Sequence, residues 1–171
     1  MQNGNRELVT DIALGAAAGA LATWVMGQVT TLLYEHEDEE AREREDEARD
    51  GSSAFGVAAG KIAGLFRREL SDAQQQALGS KLHYALGIGT GASYAVLRHH
   101  VPRADALQGT AFGTVFWLLV DEGANPALGF TPGPGRFPWQ THVRGLAGHV
   151  VFGAVLDTIL DGADRVRERF A

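Results

Sequence analysis

The chain contains no cysteine. Disulfides, thiol catalysis and cysteine metal sites are thereby excluded. It lacks a basic stripe with interleaved aromatics, and its net charge is −6, so the composition argues against nucleic-acid binding. No GxSxG elbow, P-loop or strand-linked GxGxxG is present. GIGTG at 87–91 falls inside a helical pattern and reads as packing. Long charge-free runs are also scarce, with one exception. Residues 12–34 hold no Asp, Glu, Lys or Arg, which makes roughly 34 Å of helix, enough to cross a hydrocarbon core of about 30 Å. The charge sits instead in the acidic run 35–50 and in the C-terminal DRVRERF.

Glycine is abundant and spaced by fours. Gly15, Gly19, Thr23 and Gly27 form one ridge, and His83, Gly87 and Gly91 a second. Gly109, Gly113, Trp117 and Asp121 form a third, and Gly145, His149, Gly153 and Asp157 a fourth. Residues four apart share a helix face. Glycine inside a soluble helix costs about 1 kcal/mol against alanine. Its repetition points to backbones in contact, the device by which helices pack in lipid.

The pattern predicts an all-α polytopic membrane protein, a single domain. Four spans at about 8–34, 80–98, 103–122 and 142–162 pack through glycine ridges. An amphipathic helix over 53–70 lies on the membrane surface or against the bundle, and 123–139 form a Gly/Pro loop. The later apolar stretches are short for spans, which leaves a soluble helical bundle as the alternative.

Alternating spans bring the start of the second helix, the end of the third and the start of the fourth to one end. There the sequence carries His83, Asp121, Glu122 and His149. Ionisable groups at membrane depth are costly and face the bundle interior, which makes them candidates for function. The cluster could relay protons, bind a divalent metal, or hydrogen-bond helices together. No HxxxH or HExxH spacing supports the metal, and no cofactor is implied. Arg6, Asp11, Asp157 and Asp161 are expected at the opposite end in boundary salt bridges. The expected partners are the lipid bilayer and a second copy or another membrane protein.

HYALGIGTGASYAVL, DEGANPALGF and GHVVFGAVLD resemble the YagU-like family of small bacterial inner-membrane proteins. The matching positions are His83, Tyr84, Asp121, Glu122, Pro126, Gly129, His149 and Gly153, with Asp157 at a position where an acid recurs. The resemblance implies an inner-membrane location with a cytoplasmic N-terminus and a role in acid tolerance. It implies no defined reaction.

Overall fold

A computed structural model describes residues 2–170, with side chains described from residue 7 onward. All regular structure among the described residues is helical. Helix α1 (Gln2–Glu35) is followed by α2 (Glu39–Arg49), α3 (Ala54–Leu65), α4 (Asp72–His100), α5 (Thr110–Trp117), the single turn α6 (Asn125–Ala127) and α7 (Trp139–Phe170).

Local chemistry sets the boundaries. The Asp38 carboxylate accepts from the Ala41 N–H at 2.8 Å and starts α2, so the charged run is a separate helix. Ser53 caps α3 in the same way. Ser71 and Gln74 form a reciprocal capping box at the head of α4. The third long helix begins at Thr110, seven residues after the expected start at 103. Residues 101–109 form turns, with positive φ at Arg103, Leu107, Gln108 and Gly109, which an α-helix does not tolerate. Gly109 is therefore the cap of that helix, at φ 74°.

α1 is central and packs against α4 on one side and α7 on the other; α5 leans on α7, and α3 on the start of α4. The ridges meet backbone to backbone. A Cβ added to Gly15, Gly19 or Gly91 would fall within 3.0 Å of the facing helix backbone. Gly109, Gly113 and Gly153 close α5 on α7 by the same device, while Gly87 receives the Thr23 side chain. Gly27 faces open space and takes no part. The amphipathic segment packs inward, because a Cβ on Gly79 of α4 would strike the Phe55–Gly56 backbone of α3.

The core is narrow: Ala18, Ala22, Tyr94, Ala95, Phe152, Leu156 and Leu160. Large apolar side chains lie outside it, including Leu8, Val9, Ile12, Leu21, Trp24, Leu32 and Leu33 along α1. The segments Glu7–Glu35 and Trp139–Phe170 are long and apolar enough to cross a membrane. α4 opens with polar turns from Asp72 to Lys81, and α5 runs directly into Asp121 and Glu122; neither reaches that mark.

Candidate functional site

The C-terminal half of α1, the start of α3, the middle of α4, the end of α5, the proline loop and the first half of α7 surround a cavity of about 290 Å³. His83, Asp121, Glu122 and His149 all line it. The structure thus gathers the four groups expected from the sequence around one space. Phe55, Phe116, Trp117 and Phe137 also line it.

Asp121 and Glu122 stand in a π-helical turn, Leu118–Ala124, that continues α5. Such wide turns are uncommon and concentrate at functional sites. Here the turn presents two consecutive acids to α7. Glu122 accepts from His142 Nδ1 at 2.7 Å, and the opposite ring nitrogen stands 3.1 Å from the Pro134 carbonyl. Both neighbours are acceptors, so both hydrogen bonds form only when the ring carries two protons. Glu122 and His142 then constitute a neutral pair.

His149 is buried at 5% exposure. Its Nδ1 lies 2.9 Å from the Gly145 carbonyl, four residues back, and 3.7 Å from Asp121 Oδ2. The Gly145 carbonyl can only accept, so Nδ1 carries a proton in that bond, while Asp121 lies beyond hydrogen-bond reach. Gly145 permits the approach, since a Cβ there would lie 3.0 Å from Trp117 Nε1 and 3.4 Å from Asp121. His83 stacks on Phe55 with ring centroids 4.8 Å apart. Among the described residues, no hydrogen-bond acceptor stands against either of its ring nitrogens.

Three partners were not read from the sequence. His142 is one, although it lies seven residues before His149 and so on the same face of α7. The second is Arg144, which is buried and donates to Glu37 and to Glu45. Glu45 also accepts from Thr141 Oγ1 and from Arg49, both at 2.7 Å. Burial pushes the Glu45 carboxyl up, but Arg144, Arg49 and Thr141 outweigh it and hold the group below its ordinary range. This knot ties the acidic helix α2 to the mouth of the cavity. The third is Tyr94, whose hydroxyl donates to Asp157 Oδ1 at 2.7 Å.

Asp157 is buried at the other end of the bundle and does not join the cluster. Tyr84 sits on the outer side of α4, 36% exposed and outside the cavity wall. Boundary ion pairs do form at that far end, between Asp11 and Arg167 at 2.5 Å and between Asp161 and Arg98. The Arg6 side chain lies outside the described residues. Among the described residues, no three His, Asp or Glu side chains gather in a way that could hold a metal ion.

No curated protein and no solved structure matches the chain. A family model matches residues 55–158, from α3 through the buried Asp157 of α7, and so takes in His83, Asp121, Glu122 and His149. By that match the chain belongs to the family described as Protein of unknown function (DUF1440).

Proposed function

We propose that the chain is a small integral membrane protein, a bundle of four spanning helices whose polar cavity responds to protons. The observation that carries the reading is the convergence of His83, His149 and Asp121 on one cavity. Imidazoles change charge near neutral pH, and a carboxylate beside them shares the proton. Glu122, His142, Arg49 and Arg144 also face this space and set its field.

Two features support the membrane part. Large apolar side chains point outward along α1 while alanine and glycine fill the helix contacts, the reverse of a soluble helix. The acids and arginines gather at the two ends of the bundle. The YagU-like resemblance supplies the bacterial inner membrane and a cytoplasmic N-terminus, which puts the cavity on the far side.

Cell fractionation tests the location: the protein should sediment with membranes and resist carbonate extraction. Trp117 lines the cavity and reports on it. In a variant with Trp24→Phe and Trp139→Phe, Trp117 emission should show a transition between about pH 5 and 8, where histidines titrate. His83→Ala and His149→Ala should shift or remove it. A flat profile in the parent would end the proton reading.

A further inference from the structure

α2 is held to the bundle in a different way from its neighbours. It consists of Glu, Asp, Arg and two alanines, with no large apolar side chain, and it buries only Ala41 and Glu45. Apolar burial therefore contributes little to keeping it in place. Among the described residues it packs closely along no other helix. Its outer face carries Glu39, Glu40, Glu43, Asp46 and Glu47, all exposed and hydrated.

Polar tethers hold it instead, and they end between residues 137 and 144. The Gln140 amide donates to Asp38 at 3.1 Å, and Thr141 Oγ1 donates to Glu45 at 2.7 Å. The Arg144 guanidinium donates to Glu45 and to Glu37, just ahead of the helix. Arg49 stands over the Phe137 ring, 5.5 Å from its centroid. Arg144 is the hub: it is buried, and it bridges both the linker and the body of α2 to α7. Arg49, Phe137, Thr141 and Arg144 all line the cavity, so the tethers form part of its wall.

The connections at the two ends of α2 are short and irregular. Residues 36–38 join it to α1, and residues 50–53 join it to α3, with Asp50 at φ 50° and Gly51 at φ 70°. Hinges are made of a few such positions, which absorb backbone rotation. The helices beyond them are packed in place: α1 at the centre of the bundle, and α3 against Gly79 of α4. α2 can therefore swing into water without leaving the chain's fixed frame. Its swing withdraws Arg49 from the wall and parts it from Phe137, which opens the cavity on that side. We infer that α2 is a strap over the cavity, closed by the Arg144 latch, and that its release admits solutes from the aqueous phase. The inference takes the cavity to be the working site, as proposed above.

The test uses the full chain in detergent micelles, with Trp117 as the sole tryptophan. The chain has no cysteine, so spin labels at Glu43→Cys, exposed on α2, and Leu107→Cys, exposed at the far end, report one distance. Acrylamide, which stays in the water, reports access to Trp117. Arg144→Gln should add a second distance absent from the parent and raise the quenching constant of Trp117 about twofold or more, as the strap leaves its closed position. Gln140→Ala with Thr141→Val cuts two tethers without burying an unpaired charge, and should move both readouts the same way by less. It also serves if the glutamine variant does not fold. Arg165→Gln, which breaks an exposed pair at the far end, should move neither readout.

An unchanged distance in the tether variants that fold, a changed distance with unchanged quenching, or an equal response to Arg165→Gln would each overturn the inference. The pH profile of Trp117 in the parent, taken without quencher, separates the two readings. A pH transition beside an immobile strap removes this inference and leaves the proton-responsive cavity standing. A strap that moves and uncovers Trp117, with a flat pH profile, ends the proton reading and keeps the strap.

Discussion

Replacing Gly91 by alanine tests how this bundle is held together. Gly91 faces α1, and a Cβ there would fall within 3.0 Å of the Gly15 carbonyl oxygen and of Gly19 Cα and N. All three are backbone atoms, so no side chain can swing aside; the helices must separate. Overpacking of this kind costs about 1–3 kcal/mol. Alanine returns up to about 1 kcal/mol through its better helix propensity. The net expectation is a loss of roughly 1–2 kcal/mol, or a fall in melting temperature of about 2–8 °C for a chain of this size. Gly89 is an internal control two residues away. A Cβ there meets nothing within 4 Å, so Gly89→Ala should be neutral or slightly stabilising. The assay is thermal unfolding in detergent, followed by circular dichroism at matched protein-to-detergent ratio. If Gly91→Ala melts with or above the parent, α1 and α4 are not in backbone contact and the ridge argument fails.

Glu45 should make stability depend on acid. Its folded pKa lies below the ordinary value of 4.5, so its contribution is present above that value and is lost as pH falls through the folded pKa. Melting curves from pH 6 to pH 3 should fall more steeply for the parent than for Glu45→Gln. Tyr94→Phe leaves Asp157 buried without its 2.7 Å hydrogen bond and should cost about 1–3 kcal/mol in the same melt. Ser71→Ala removes the capping box of α4 and should cost about 0.5–2 kcal/mol. Its effect should appear as faster amide exchange in the first turn of α4.

Much of the fold was legible because its signals are local. A residue and its neighbour four positions on share a helix face whatever the rest of the chain does, so the glycine ridges, and His83 and His149 upon them, could be read directly. The order of the long helices also placed those histidines and Asp121 at one end. Helix starts at Ser53 and Ser71 follow from side chains bonding backbone three residues away. The late start of α5 was not legible, because Pro102 suits the first turn of a helix as well as it suits the turns that form. Nor was the π turn at Asp121, whose composition does not differ from that of an α-helical end.

The sequence alone determined that the chain is helical, that its helices touch through glycine, and that its charges lie toward their ends, since composition and short-range spacing decide all three. The tertiary structure decided which charges meet. Arg144 finds Glu37 and Glu45 from 107 and 99 residues away, and Glu122 takes His142 across a proline loop. Such pairings depend on how closely two backbones approach and how each helix is rotated about its axis, quantities fixed only when the glycine ridges are pressed together.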